Sequence, residues 1–159
     1  MNAPAIHIVV DGQDPLLEQV ADQFEALHAS MGGHGMQATL APNGARLWVD
    51  GTRRGLERFG RMVLAVQDGR VVGFTYGVIK LAPEYLGGEL LGHWTHLYVD
   101  PGHRRSGVAN ALTASLHQWF AEKAVKATEC EVVHDNTLSQ AFVRSLGYRP
   151  ELFRFRRPS

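Results

Sequence analysis

Short apolar runs alternate along the chain with longer segments in which apolar residues recur every three or four positions. This pattern predicts strands that alternate with amphipathic helices. The first apolar run, at residues 6–10, predicts a strand. Asp14 and Pro15 then suit the start of a helix, and Gly32 followed by Gly33 suits its end. The apolar face of this helix would consist of Leu16, Val20, Phe24 and Leu27.

The middle of the chain combines one ambiguous segment with a strong hairpin signal. At residues 41–59 the apolar spacing favours a helix, whereas two glycines oppose it. Further on, apolar runs at residues 62–66 and 71–80 flank the dipeptide Asp68-Gly69. An Asp-Gly pair between two apolar runs predicts two antiparallel strands joined by a tight turn.

The second half of the chain predicts a strand over residues 89–100, ended by Pro101 and Gly102, and then a helix. The apolar face of that helix would consist of Val108, Leu112, Leu116 and Trp119. A strand at residues 130–133, another helix and a last strand beginning at Tyr148 follow. The order is strand, two helices, three antiparallel strands, helix, strand, helix and strand, which predicts an α/β (α+β) fold.

Composition fits one compact domain spanning residues 1–159. Sixteen basic and sixteen acidic residues cancel, so nothing favours a nucleic acid or an anionic membrane as partner. No apolar run approaches the roughly 20 residues that span a bilayer. A single cysteine, Cys130, fits a reducing compartment, and the first residues do not resemble a secretory leader, so we expect a cytoplasmic protein.

The segment between the strand at residues 89–100 and the following helix has the chemistry of an anion-binding turn. The first backbone N–H groups of a helix lack intrahelical partners, and the helix dipole adds partial positive charge there. Gly107 would let a phosphate approach the backbone, while Arg104 and Arg105 supply positive charge. Ser106 can cap the helix or donate its hydroxyl to the same anion. Together these residues suit a pyrophosphate.

The spacing Arg104-x-x-Gly107-x-Ala109 after a strand resembles the acyl-coenzyme A pyrophosphate loop of the GNAT (GCN5-related N-acetyltransferase) superfamily. A second signature of that family is an asparagine that opens a helix, followed by Ala-x-x-Phe and a Gly-aromatic pair. It is matched downstream by Asn136, Ala141, Phe142, Gly147 and Tyr148. The two signatures stand in the family's order, and the resemblance covers residues 89–148.

The resemblance implies a mixed, mostly antiparallel central sheet flanked by helices, in which two strands splay apart and hold acyl-CoA in the cleft. Backbone groups of the strand at residues 97–99 would pair with the pantetheine arm. The residues that the resemblance and the turn chemistry assign to acetyl-CoA are Leu97, Tyr98, Val99, Arg104, Arg105, Ser106, Gly107, Val108, Ala109, Asn136, Ser139 and Phe142. Asn136 equally suits a helix N-cap, and Phe142 equally suits the core.

The implied reaction transfers an acetyl group from a thioester to a primary amine of a small molecule or peptide, by direct attack in a ternary complex. Because alkyl amines are protonated at neutral pH, a base is needed, and histidine titrates in the required range. By resemblance His93 is the first candidate, with His96 second and Glu89 third. Strand alternation puts His93 and His96 on opposite faces, so we expect no metal site there.

The chain departs from the family at Val143, where many members have a tyrosine that protonates the leaving thiolate. Three explanations stay open: the thiolate leaves without an acid, a tyrosine such as Tyr85 reaches in, or catalysis is weak. Tyr148 is a poorer candidate, because the resemblance gives it a core position. A non-catalytic acyl-CoA-binding module is therefore the alternative to an enzyme, and an unrelated phosphate-binding α/β domain is a third reading.

The acceptor amine and the assembly are the least determined features of the sequence. By resemblance, the acceptor pocket would be lined from the first two helices and neighbouring loops. These offer His28, His34, Trp48, Glu84 and Tyr85. The alternating Phe153 and Phe155 after the predicted last strand would leave an apolar, poorly covered edge, which favours a homodimer.

Overall fold

The computed structural model describes residues 2–159, and Met1 lies outside this range. Its strands and helices, in chain order, are β1 (Ala5–Val9), α1 (Leu17–Gly33), α2 (Gly44–Arg53), β2 (Gly60–Gln67), β3 (Arg70–Leu81), β4 (Leu90–Val99), α3 (Val108–Glu122), β5 (Ala127–Cys130) and α4 (Thr137–Ser145). The strands form one sheet in the order β1-β2-β3-β4-β5. All neighbours are antiparallel except the parallel pair β4–β5, which confirms the predicted mixed, mostly antiparallel sheet.

The hairpin of β2 and β3 turns as its sequence predicts. Asp68 and Gly69 have φ angles of 51° and 75°. Two successive positive φ angles are what a two-residue hairpin turn with the right twist requires, and Asp-Gly supplies them. The paired strands are almost fully buried over residues 62–65 and 71–76, which makes this hairpin the centre of the sheet.

Helices α1 and α2 cover one face of the sheet. Their buried residues pack against the β-strands in one hydrophobic cluster, with Leu17, Val20 and Val49 fully buried. The ambiguous segment therefore does contain a helix, over Gly44–Arg53. Gly51 does not prevent it, because this glycine faces open space while the burial of Val49 stabilises the helix.

Helix α3 covers the opposite face, and its predicted apolar face is the buried one. It lies close to the sheet because two strand residues that face it are glycines. A Cβ added at Gly77 would lie 2.7 Å from the ring of Phe120, and one added at Gly92 would lie 2.9 Å from it. Phe120 is 1% exposed, so this ring fills the space that side chains on β3 and β4 would otherwise occupy.

Two strand predictions are wrong. The fifth strand is Ala127–Cys130 rather than residues 130–133, because its pairing with β4 ends at the pair Trp94 and Cys130. The strand predicted from Tyr148 does not form, and residues 148–159 are irregular. The backbone N–H of Tyr148 instead donates to Val143 at the end of α4, which turns this residue inward.

A β-bulge in β4 overturns the predicted strand alternation. Tyr76 pairs with His96 and Gly77 with Trp94, so Thr95 has no partner on β3. The extra residue puts Trp94 on the α3 face and His96 on the face of α1 and α2. His93 shares that second face, because it is paired with Val78, which packs against the α1 and α2 cluster. The two histidines are therefore on one face, not on opposite faces.

Candidate functional site

A cavity of about 230 Å³ opens at the start of α3. It is lined by Val99, Arg104, Arg105, Gly107, Ala109, Asn110 and Phe142. Six of these seven residues are among those that the sequence assigns to acetyl-CoA, and Asn110 is the addition. A larger, open depression of about 590 Å³ lies beside the β2–β3 turn and shares none of these residues. We place the candidate site at the smaller cavity, because it adjoins both a helix N-terminus and the free edge of β4.

The turn before α3 is shaped by backbone conformations that leave its amides open. Gly107 is the N-cap residue of α3 with φ of 85°, and Arg105 has φ of 58°. A Cβ added at Gly107 would meet no atom within 4 Å, so the space beside this backbone is empty. The Ser106 hydroxyl donates to the carbonyl of His103 and not to the helix. No side chain caps the first N–H groups of α3, which include those of Val108 and Ala109.

The two arginines supply positive charge that no carboxylate of residues 2–159 neutralises in an ion pair. The Arg104 Nε donates to the Val99 carbonyl at 2.9 Å, and the guanidinium lies 5.8 Å from the centre of the Tyr98 ring. Arg105 is exposed. Free helix amides and two unpaired guanidinium groups around one cavity are suited to bind a phosphate or pyrophosphate.

The free edge of β4 leads from this turn into the sheet. β5 pairs with β4 only as far as Trp94, so residues 95–99 have a strand neighbour on one side alone. The backbone of Leu97, Tyr98 and Val99 therefore borders a cleft, as predicted for splayed strands. An extended ligand can add to such an edge as a further strand would.

Helix α4 forms the far wall of this cleft. The Asn136 side-chain oxygen accepts from the Ser139 N–H at 3.1 Å, so the asparagine is the N-cap of α4. This capping leaves its amide NH₂ free. Phe142 both lines the cavity and packs against Trp94, with ring centres 6.3 Å apart. The two alternative roles of Phe142, cavity wall and core packing, are thus compatible.

On the α1 and α2 face, His96 lies in an aromatic cluster. Its ring centre is 4.9 Å from that of Trp48 and 5.0 Å from that of Phe24. His28 packs on the other side of Phe24, and its Nδ1 is buried without a partner. Burial, with the nearby His28 and His93, lowers the pKa of His96 to about 4, so its imidazole is neutral at pH 7.

His93 is less buried and lies nearer to charged side chains. Burial and the Lys80 ammonium lower its pKa, while Glu129 and Glu131 oppose that shift. Glu89, the third candidate, precedes β4 at the end remote from the arginines, and its carboxylate pairs with Lys126 at 3.4 Å. The structure brings His93 and His96 to one face and does not bring Glu89 to them.

None of the three positions considered for the proton donor lines the cavity at the start of α3. Val143 packs in the hydrophobic cluster around Trp94. The Tyr148 hydroxyl is 2.6 Å from the His117 Nε2, and burial raises the pKa of this tyrosine well above its ordinary value. Tyr85 is 85% exposed in the turn before β4. Within residues 2–159 no group of three or more histidine, cysteine or acidic side chains is arranged to hold a metal ion.

Sequence reasoning missed Asn110, which lines the cavity, and Thr95 and Thr75, whose hydroxyls lie within hydrogen-bond distance of His96. Asn110 could have been found, because it lies in the first turn of a helix that the sequence already predicts. The two threonines could not, because their roles depend on the register between β3 and β4.

Helices within the described part of the chain are all too short or too polar to cross a membrane.

Comparisons with known proteins agree with this geometry. The model of the acetyltransferase (GNAT) family matches residues 36–148. An aminoglycoside N(6')-acetyltransferase type 1 from Acinetobacter haemolyticus is 30% identical over an alignment of 96 residues, and the match covers 58% of this chain and 65% of that protein. The chain thus spans just under two thirds of the length of this relative.

Two solved structures share the fold. One is a mutant protein from Bacillus halodurans, with a TM-score of 0.79, 16% identity and coverage of 98% of this chain and 99% of that one. The other is the aminoglycoside N-acetyltransferase AAC(6')-Iy in complex with CoA, with a TM-score of 0.74, 22% identity and coverage of 99% and 97%. Because the family model covers most of the sequence and both signatures line the cavity, the chain belongs to the acetyltransferase (GNAT) family.

Proposed function

We propose that this protein transfers an acetyl group from acetyl-CoA to a primary amine of a small molecule, by direct attack in a ternary complex. The observation that carries the proposal is the cavity at the start of α3, where Arg104, Arg105 and Gly107 meet the free edge of β4. On the other face of the same strand lie two neutral imidazoles. One strand thus joins an anion site to groups that can accept a proton.

The residues around the cavity fit acetyl-CoA. Its pyrophosphate would lie on the amides that follow Gly107 and between the two arginines. The pantetheine arm would run along residues 97–99, with Phe142 as its apolar wall and the free NH₂ of Asn136 within reach. Ser106, Val108, Ala109 and Ser139 complete the proposed contacts. When bound, the cofactor supplies the thioester whose acyl group is transferred.

His93 is the proposed base. Its pKa is lowered less than that of His96, and two carboxylates favour its protonated form. It can therefore accept the proton that an ammonium must lose before attack. The neutral amine nitrogen then forms the new C–N bond and loses a second proton to solvent, the C–S bond breaks, and the thiolate leaves. Because Val143 offers no proton, we propose that the thiolate departs without a protein acid.

The proposed acceptor is a cationic amine. Glu129 and Glu131 lie near His93. They pair with Lys80 and Arg154, but both carboxylates stay accessible to solvent and can attract an ammonium. Two of the proteins to which the chain is similar are aminoglycoside acetyltransferases, which makes aminoglycosides the first compounds to try. Peptide amines form the second group.

The proposal is tested by calorimetric titration with acetyl-CoA, followed by an amine screen. Gly107→Glu should weaken acetyl-CoA binding by about fivefold or more, since a like charge about 4 Å from a phosphate costs about 1 to 4 kcal/mol. Gly69→Glu is the matched control, because Gly69 also has a positive φ and open space around it. In the screen, His93→Ala should lose turnover but keep acetyl-CoA affinity.

The outcomes separate the enzyme from its alternative. Binding without turnover on any amine would favour the non-catalytic acyl-CoA-binding module, which the packing of Val143 supports. No binding by the folded wild type would contradict both. We further propose one domain over residues 1–159, a cytoplasmic location, in keeping with the lone Cys130, and a homodimer through the residues that follow α4.

A further inference from the structure

The hydroxyl of Thr95 lies between β3 and the ring of His96. Its Oγ1 donates to the Tyr76 carbonyl at 3.0 Å and lies 2.9 Å from the His96 Nδ1. Thr95 is the bulged residue of β4, and this position lets its side chain reach a neighbouring strand and a neighbouring ring at once.

The positions of the protons follow from what each atom can do. A hydroxyl has one proton, and a carbonyl oxygen can only accept. The Thr95 hydroxyl therefore donates its proton to the Tyr76 carbonyl, and the Thr95 Oγ1 must accept a hydrogen bond from the His96 Nδ1–H. Because burial lowers the pKa of His96 to about 4, the ring carries one proton at pH 7. The Nε2 of His96 is then an unprotonated acceptor.

The backbone of His96 is held independently of Thr95. The Thr75 hydroxyl donates to the His96 carbonyl at 2.8 Å, and the Trp94 Nε1 donates to Thr75 at 2.8 Å. Thr75 is fully buried. These hydrogen bonds hold the backbone at the bulge. The hydroxyl of Thr95 can therefore be removed by substitution while the backbone of His96 keeps its position.

The Nε2 of His96 makes no hydrogen bond within residues 2–159 and is not completely buried, so it retains some contact with solvent. We infer that Thr95 is a positioning residue that holds His96 as its Nδ1–H tautomer, so that Nε2 accepts a hydrogen bond from the acceptor amine. This role rests on the proposed function and adds amine orientation by His96 to proton removal by His93.

The tautomer is tested directly by NMR of protein labelled with ¹⁵N-histidine, without any substrate. Wild type and Thr95→Ser should show the Nδ1–H form of His96, and Thr95→Val should lose it. Thr113→Val is the matched control, because the Thr113 hydroxyl is buried without a partner and is not near this ring. A wild-type Nε2–H form, or an unchanged tautomer in Thr95→Val, would overturn the inference.

Steady-state kinetics test the consequence for the amine. Thr95→Val should lower kcat/KM for the amine by on the order of tenfold to a hundredfold, as expected when the group that orients the amine is misplaced. KM for acetyl-CoA should not change, and Thr95→Ser should restore activity. An unchanged kcat/KM for the amine in Thr95→Val contradicts the role. Absence of turnover with any amine counts against the proposed function, whereas the NMR result is independent of it.

Discussion

Burial of His96 links one residue to the stability of the protein. Phe24 and Trp48 surround its ring, and the pKa of the imidazole falls from 6.5 to about 4. Between these two pH values, the unfolded chain binds a proton at His96 and the folded protein does not. An aromatic or aliphatic side chain would fit this cluster without that cost, so the retention of an imidazole is consistent with its proposed contact with the amine.

We predict that the free energy of unfolding decreases as pH falls from 6.5 to 4. In this window the unfolded chain binds the additional proton, so stability is complete above 6.5 and is lost toward the folded pKa. A shift of this size corresponds to roughly 3 kcal/mol. The pKa values of His28 and His93 are lowered too and act in the same direction. Denaturant unfolding at several pH values measures the loss.

The variant His96→Phe should remove most of that pH dependence while keeping the aromatic packing. His134→Gln is the control, because the side chain of His134 is 82% exposed. The same pH dependence in His96→Phe and wild type would show that other groups cause it.

Strand β4 is the element on which the site depends. Its first half pairs on both sides, and its second half pairs only with β3. The bulge at Thr95 marks the change between the halves, turns His96 toward α1 and α2, and leaves the edge at residues 97–99 open. On its other face, Gly92 lets the C-terminal part of α3 approach β4, because the ring of Phe120 packs against this glycine.

We predict that Gly92→Ala destabilises the protein by about 1 to 3 kcal/mol, because its methyl group would overlap the buried ring of Phe120. Gly51→Ala is the matched control. Its methyl group would meet no atom within 4 Å, and alanine favours the helix by about 1 kcal/mol over glycine. Unfolding in urea measures both changes. Equal stability of the two variants would contradict the close packing of α3 on β4.

At the scale of the whole molecule, the residues after α4 leave apolar side chains exposed. Leu152, Phe153 and Phe155 are 87%, 71% and 92% exposed, and the outer edge of β5 has no strand neighbour within the described residues. A second copy of the chain could cover both features. The homodimer would thus form at the far side of the sheet from β1.

Light scattering at micromolar concentration should therefore give the mass of a dimer, and the double variant Phe153→Ser/Phe155→Ser should give that of a monomer. Leu138→Ser is the control, because Leu138 is 80% exposed on α4 and should not change the mass. A monomeric wild type would exclude the dimer at that concentration.

The sequence by itself determined the features that depend on neighbouring residues. Helical spacing, the Asp68-Gly69 turn and the signature around Gly107 are local, and each predicts its structure without knowledge of distant contacts. Six residues of the cavity could be named from these local signatures, Val99 and Phe142 through the family resemblance that the signatures carry. The family follows from the same local signatures.

Only the tertiary structure decided features that depend on how segments meet. The bulge at Thr95 arises from the register between β3 and β4, and it brings His93 and His96 to one face where strict alternation separates them. β5 ends at Cys130 because its pairing with β4 ends there. Helix α2 forms because Val49 is buried against α1 and the sheet. Burial and register are properties of contacts between distant segments, so the pattern of a single segment does not contain them.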